Sequence, residues 1–142
     1  MLKGIPSILT PELLKLLSEM GHGDEIVIAD GNFAAETLAQ RLVRLDGNNV
    51  PEILDAILKF FPLDPSVEAP VTLMAKVEGD TAETKIWDEF KEIVNKYNPD
   101  TKIEFEERFD FYGRTKKAFA VIATTEMKLY ANIILKKGLV VE

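Results

Sequence analysis

His22 and Asp30 are the first residues whose types and spacing suggest chemistry. His22 is the single histidine of the 142-residue chain, and it stands between two glycines. Imidazole titrates near neutral pH and can give and take a proton, and a carboxylate at the far end of the same short segment could accept one. The two residues are a candidate acid/base frame. The alternative is a solvated loop histidine without a catalytic role.

Two later segments carry side chains suited to a ligand rich in hydroxyl groups. Residues 108–114 read Arg-Phe-Asp-Phe-Tyr-Gly-Arg, so three aromatic rings and two guanidinium groups occur in seven residues. Rings can cover the apolar face of such a ligand and guanidinium groups can donate to its hydroxyls, although ordinary burial beside surface charge would use the same residues. Tyr130 and Asn132 add a phenol and an amide, which could bind a ligand or cap a turn.

A helix and a strand position the first pair. Thr10 and Pro11 are typical of a helix start, and the leucines that follow recur at helical spacing. We expect this helix to end at Gly21, because glycine adopts the left-handed conformation without steric cost. Residues 25–30 are rich in β-branched side chains and predict a strand. The histidine therefore lies on the bend before this strand, and the aspartate closes it.

The rest of the chain predicts two further helices. One begins at Pro51 and is ended by Pro62. The other is long and follows Asp80 and Glu83, which have the spacing of a capping box, in which each side chain satisfies a free backbone N–H group. Asn98-Pro99 closes this second helix.

Further strands are predicted at residues 42–45, 71–77, 103–105, 118–124 and 133–135. Ile103 and Phe105 alternate with charged residues, so their strand should have one wet face, whereas other strands are apolar throughout, as in a sheet covered on both sides. Residues 31–36 are expected to form a loop that lines the site, and residues 62–70 a surface loop without chemistry. The pattern predicts one domain over residues 1–142, a three-layer α/β/α sandwich with a mixed, largely parallel sheet.

Composition argues against several classes of function. The formal net charge is -7, whereas nucleic acids and anionic membranes require a basic face in their partners. The chain contains no cysteine, which excludes disulfides, thiolate metal sites and cysteine nucleophiles, and one histidine argues against a transition-metal site. Because the sequence has no apolar run long enough for a membrane helix, we expect a cytoplasmic protein.

An ordered set of short motifs runs nearly end to end through the chain. The set consists of Gly21-His22-Gly23-Asp24, Asp30, Val77-Glu78-Gly79-Asp80, the segment from Arg108 to Tyr112, Lys117-Ala118-Phe119-Ala120 and Tyr130-Ala131-Asn132-Ile133. With this set the chain resembles the D-ribose pyranase and L-fucose mutarotase family, and the aromatic segment looks closer to the fucose branch.

The resemblance implies a site and an assembly. It implies that His22 is the general acid/base, and that Asp30, Arg108 and the Tyr130-Ala131-Asn132 segment bind the sugar. It also implies a ring-shaped homo-oligomer, commonly a decamer, with sites near subunit contacts. The fold and the activity of the family become expectations for this chain.

Interconversion of sugar anomers fits these residue types. The anomeric hydroxyl loses a proton while the ring oxygen gains one, and the open aldehyde rotates and recloses, so we expect no cofactor and no metal. His22 should act at one of these oxygens, and Tyr130 is the candidate second proton relay. Tyr112 or Phe111 would cover the apolar face of the sugar.

The sequence also departs from the fucose branch in two places. Residues 31–35 lack the histidine and proline that this branch usually carries there, and Ala131 stands where it often has glycine and the ribose branch has alanine. The favoured prediction is interconversion of the α and β anomers of a monosaccharide, with L-fucose first. D-ribose pyranase activity, a non-catalytic monosaccharide-binding protein and an oligomeric scaffold are the alternatives.

Overall fold

One six-stranded sheet organises the structure, a computed structural model that describes residues 1–142. The helices are α1 (Pro11–Glu19), α2 (Ala35–Leu38), α3 (Val50–Leu58), α4 (Ile86–Tyr97) and α5 (Arg108–Lys117). The strands are β1 (Glu25–Ala29), β2 (Leu42–Leu45), β3 (Val71–Met74), β4 (Ile103–Glu106), β5 (Ala120–Thr124) and β6 (Ile133–Lys136). None of these helices combines the length and the apolar character needed to cross a membrane.

The sheet is mixed, with the strand order β2-β5-β1-β6-β3-β4. β5 runs parallel to β1 and β2, and β3 runs parallel to β4, whereas β6 is antiparallel to both of its neighbours, β1 and β3. Ile133, the first residue of β6, is therefore paired with Ile28 near the end of β1 and with Leu73 near the end of β3. The residues that follow β1 and β3 meet those that precede β6 at one edge of the sheet.

Both faces of the sheet are covered, as β1 illustrates. Ile26 and Ile28 belong to a large core that includes residues of α1, α3 and α4, whereas Val27 and Ala29 belong to a smaller core with residues of α2 and α5. The division follows from the pleat, which directs successive side chains to opposite faces. The predicted three-layer α/β/α sandwich with a mixed, largely parallel sheet is confirmed.

The first helix begins as predicted but ends differently. The Thr10 hydroxyl accepts a hydrogen bond from the Leu13 backbone N–H at 3.2 Å. The helix is followed by Met20 in an extended conformation, and the residue with positive φ is Gly23, at 88°, not Gly21. The expected left-handed Gly21 is wrong because Asp24 Oδ2 accepts from the Gly21 N–H at 2.7 Å and thereby forms the turn.

The predicted capping box before α4 is also wrong. The helix begins only at Ile86, with no side-chain hydrogen bond at its N-cap residue. Asp80 instead accepts a hydrogen bond from the Ala82 N–H at 2.8 Å and another from the Tyr130 hydroxyl. The capping-box spacing occurs here in a loop, because tertiary contact with Tyr130 competes for the carboxylate.

Several boundaries differ from the sequence prediction. β3 ends at Met74, and a largely exposed loop, residues 75–85, connects it to α4. The helix α2 begins inside the segment 31–36 that was predicted to be a loop. Phe105 is 44% exposed and packs on Trp87 at a ring distance of 4.9 Å, so the predicted dry face of the edge strand β4 is only partly covered.

Gly138 and Gly113 should respond in opposite directions to alanine. A β-carbon at Gly138 would stand 2.6 Å from the Leu63 carbonyl oxygen, whereas one at Gly113, exposed on α5, would meet nothing within 4 Å. We expect Gly138→Ala to lower the free energy of unfolding by about 2 kcal/mol through overpacking. Gly113→Ala should raise it by about 0.5–1 kcal/mol because alanine favours the helix. Urea denaturation measures both changes, and equal effects would contradict the tight packing at Gly138.

Candidate active site

A cleft of about 230 Å³ lies at the sheet edge where β1 and β3 end and β6 begins. Its polar lining consists of Asp30, Asn32, Asp80, Arg108, Tyr130 and Asn132. Its apolar lining consists of Phe33, Met74, Val77, Tyr112 and Leu129. A larger cleft of about 490 Å³ between α4 and β4 contains none of the candidate catalytic or binding residues, so the smaller cleft is the candidate site.

Asp30 and Asn132 form the buried floor of the cleft. Asn132 Oδ1 accepts from the Asp30 backbone N–H at 2.8 Å, and Asn132 Nδ2 donates to Asp30 Oδ2 at 3.0 Å. Burial raises the pKa of Asp30, and hydrogen bonds from the Asn32 backbone, the Asn132 side chain and the Ala131 backbone oppose that rise. The carboxyl group is thus held in one orientation, facing the cleft from a desolvated position.

Tyr130 is fixed at both its backbone and its hydroxyl group. Its φ of 56° is left-handed, a conformation that costs a non-glycine residue roughly 1–3 kcal/mol. The Trp87 indole N–H donates to the Tyr130 carbonyl oxygen at 2.9 Å. The hydroxyl group donates to Asp80 Oδ2 at 2.5 Å and accepts from the Val77 N–H at 3.3 Å. These contacts hold the phenol oxygen in the cleft.

Arg108 and Tyr112 enter the cleft from the first turns of α5. They are four residues apart and so lie on one face of that helix. The Arg108 guanidinium packs over the Phe109 ring at 4.6 Å, and its Nε atom is buried without a hydrogen-bond partner in the chain. The Tyr112 ring meets Phe33 edge to face at 5.7 Å. The site therefore has an unused cationic donor beside an aromatic wall.

The neighbouring predicted residues have less direct positions. Phe111 is fully buried in the smaller core, so of the two aromatic residues proposed to cover the sugar only Tyr112 lines the cleft. Ala131 is fully buried as well, and it reaches Asp30 through its backbone. The expectation that residues 31–36 line the site is met by Asn32 and Phe33.

His22 lies at the opposite end of β1 from this cleft. It precedes the strand and Asp30 follows it, and five residues of strand span about 17 Å. His22 Nε2 is instead 3.1 Å from Oδ1 of Asp64, while 42% of the histidine side chain stays exposed. The expected His22–Asp30 frame is therefore not assembled within one chain.

Asp64 gives the 62–70 loop a contact that the sequence prediction missed. Its carboxylate is buried and also accepts from the Ser66 hydroxyl at 2.7 Å and the Ser66 N–H at 3.0 Å. The Ser66 hydrogen bonds, followed by the one to His22, lower the pKa of Asp64 to about 2. The predicted loop therefore also holds a buried carboxylate that orients the His22 imidazole.

The sequence contains only part of the signal for these missed residues. Asp64-Pro65-Ser66 is a turn sequence in which the aspartate accepts from a backbone N–H two residues on. Its pairing with His22, 42 residues away, has no local signature. Met74 and Leu129 line the cleft as well, but their sequence patterns are those of an ordinary strand residue and an ordinary loop residue.

The cleft is suited to a small molecule rich in hydroxyl groups. A carboxylate, an amide, a guanidinium and a phenol provide both acceptors and donors, and the aromatic wall can pack on an apolar ring face. Such a combination of a few fixed polar groups and apolar walls is typical of ligand sites.

Substitution Asp64→Asn should make stability less dependent on acid. The folded-state pKa of about 2 lies below the ordinary 3.8, so the carboxylate stabilises the fold fully above pH 3.8 and loses that effect as the pH falls towards 2. The variant should be less stable than wild type near neutral pH, and the difference should shrink through this window. Urea denaturation at several pH values measures it, with Glu68→Gln on the same loop as the exposed control. A difference independent of pH would contradict the assignment.

Comparisons with known sequences agree over nearly the whole chain. The profile of the RbsD / FucU transport protein family matches residues 3–140. The human (Homo sapiens) protein named fucose mutarotase is 47% identical, with 96% of this chain and 93% of the human chain covered. The L-fucose mutarotase of Actinobacillus pleuropneumoniae serotype 5b (strain L20) is 45% identical, with 97% and 96% covered.

Solved structures give the same result. The crystal structure of the fucose mutarotase in complex with L-fucose from Streptococcus pneumoniae has a TM-score of 0.94 at 49% identity, covering 99% of this chain and 100% of that one. Bacillus subtilis RbsD complexed with D-ribose has a TM-score of 0.73 at 26% identity, covering 94% and 95%. Because sequence and fold agree from end to end, this chain belongs to the RbsD / FucU transport protein family.

Proposed function

We propose that this protein is an isomerase that interconverts the α and β anomers of L-fucose by acid/base-catalysed ring opening and closing. The observation that carries the proposal is the convergence of Asp30, Asn132, Arg108 and Tyr130 on one cleft with an aromatic wall. The relatives named fucose mutarotase and the Streptococcus pneumoniae relative with bound L-fucose support the choice of sugar.

The floor and the wall of the cleft would orient the sugar. Asp30 accepts hydrogen bonds from hydroxyls, and Asn132 holds that carboxylate in place. Arg108, whose Nε atom has no partner in the chain, donates to ring or hydroxyl oxygens. Tyr112 and Phe33 pack on the apolar face of the sugar and on its C6 methyl group.

The reaction needs two proton transfers. The anomeric hydroxyl gives a proton to one group, the bond between C1 and the ring oxygen breaks, and the ring oxygen takes a proton from another group. After rotation of the open aldehyde, closure reverses both transfers on the other face. We assign these transfers to Tyr130 and His22. Well-placed acid/base groups contribute roughly 10²–10⁴-fold each.

His22 would come from a second copy of the chain, because β1 separates it from the cleft of its own subunit. Exposed apolar side chains near the cleft support a contact there: Phe109, Val77 and Leu129 are 66%, 39% and 49% exposed. Apolar surface that borders a site is typical of a protein interface. A homo-oligomer, as a ring-shaped decamer, and a cytoplasmic location are parts of the same proposal.

Anomeric exchange measured by NMR tests the activity. Wild type should produce exchange cross-peaks between the α and β anomeric protons of L-fucose above the uncatalysed rate, and His22→Ala should reduce the rate by about 10²-fold or more. D-ribose in parallel measures the preference for the sugar. Binding of L-fucose without faster exchange would contradict the mutarotase proposal and favour a non-catalytic binding protein.

Complementation tests whether His22 acts across a subunit contact. His22→Ala and Asp30→Asn chains should each be nearly inactive, but coexpression of the two chains should restore part of the exchange rate. Mixed assemblies contain contacts at which one chain supplies an intact His22 and the other an intact Asp30. The same two substitutions placed in one chain and coexpressed with itself are the control. Absence of restored activity in verified mixed assemblies would contradict a shared site.

A further inference from the structure

The loop of residues 75–85 contributes Val77 and one carboxylate, that of Asp80, to the cleft. Its Oδ2 atom accepts from the Tyr130 hydroxyl at 2.5 Å, and its Oδ1 atom accepts from the Ala82 N–H at 2.8 Å. Both Asp80 and Tyr130 line the cleft. The two oxygens of Asp80 thus have separate tasks, one in the loop itself and one at the site.

The hydrogen bonds of the phenol determine how it can meet a ligand. A tyrosine hydroxyl has one proton to donate and can accept through its oxygen. The proton is directed to Asp80, and the oxygen accepts from the Val77 N–H at 3.3 Å. The remaining capacity of the oxygen is as an acceptor, so a sugar hydroxyl that approaches Tyr130 must be the donor.

We propose that Asp80 is a positioning residue that makes Tyr130 the base for the anomeric hydroxyl, because it receives the phenol proton as the phenol oxygen takes the proton of the sugar. This inference rests on the proposed mutarotase function. Neither the sequence motifs nor the family resemblance assigns the Asp80 carboxylate to catalysis. The proposed role also fixes the direction of proton transfer at Tyr130.

The proton balance closes in both directions. On opening, the O1 proton passes to Tyr130 and the Tyr130 proton passes to Asp80. O1 becomes the carbonyl oxygen, the bond from C1 to the ring oxygen breaks, and the ring oxygen takes a proton from the acid, His22 in the proposed assembly. On closing, the ring hydroxyl returns its proton to His22, Asp80 returns its proton to Tyr130, and Tyr130 protonates O1.

The resting protonation of the pair suits this role. The hydrogen bond from Tyr130 is the largest cause that lowers the pKa of Asp80, and the bond to Asp80 is the largest cause that raises the pKa of Tyr130. Lys76 also lowers the pKa of Asp80. Arg108 lowers the pKa of Tyr130 and so opposes the effect of Asp80. Near neutral pH the carboxylate is therefore ionised and the phenol protonated, as the first step requires.

Substitution Asp80→Asn separates the two tasks of this side chain. An asparagine can keep an oxygen towards the Ala82 N–H and so preserve the loop, but its amide nitrogen cannot accept the phenol proton. We expect kcat for L-fucose exchange to fall about 100-fold with KM nearly unchanged, as for Tyr130→Phe. The Asp80→Asn/Tyr130→Phe double variant should be no slower than the slower single variant, because the two residues act as one unit. Glu78→Gln, on an exposed side chain of the same loop, is the matched control and should leave kcat unchanged.

A second readout does not depend on activity. Ultraviolet titration follows phenol ionisation, and Tyr130→Phe identifies the Tyr130 transition among the three tyrosines. Asp80→Asn should move that transition to lower pH, since it removes the main cause of the raised pKa. An active wild type together with an equally active Asp80→Asn variant, multiplicative losses in the double variant, or an unmoved phenol transition would each overturn this inference alone. A wild type that does not accelerate exchange would overturn the proposed function itself.

Discussion

The antiparallel position of β6 between β1 and β3 is the constraint on which the site depends. In an all-parallel sheet, the C-terminal ends of three adjacent strands would lie at the same edge. Here the start of β6 lies beside the ends of its two neighbours, so the short polar segment before it enters the same space as the residues after β1. Asn132 thereby reaches Asp30 across 102 residues of sequence. The cleft is a consequence of strand direction.

Two buried carboxylates show how the same side-chain type is tuned differently in this fold. Around Asp30, desolvation exceeds the effect of the hydrogen bonds, and its pKa rises. Around Asp64, hydrogen bonds from Ser66 and His22 exceed desolvation, and its pKa falls. The first environment favours a group that exchanges hydrogen bonds with a neutral ligand, and the second favours a permanent anion that orients an imidazole. In the proposed assembly, these properties would be complementary in a site that moves protons without a net change in charge.

The separation of His22 from the cleft is the reason why the proposed chemistry requires the proposed assembly. A strand cannot bend back within five residues, so the two ends of β1 face different surroundings. Each chain then has an imidazole at one end of β1 and the cleft at the other. In the proposed ring, each contact between subunits would bring the two together, and the exposed apolar residues beside the cleft would be covered in the same step.

The sequence by itself determined the fold class, all six strands to within about three residues at each end, and the polar cleft residues Asp30, Arg108, Tyr130 and Asn132. Apolar periodicity and polar residues at strand ends are local patterns, so they can be recognised in the sequence alone. Only the tertiary structure decided that Asp64 holds His22 and that Asp80 holds Tyr130, across 42 and 50 residues. A carboxylate in a loop can satisfy a nearby backbone N–H or a distant side chain, and the two choices look alike in sequence. Packing alone determines which partner lies within hydrogen-bond distance.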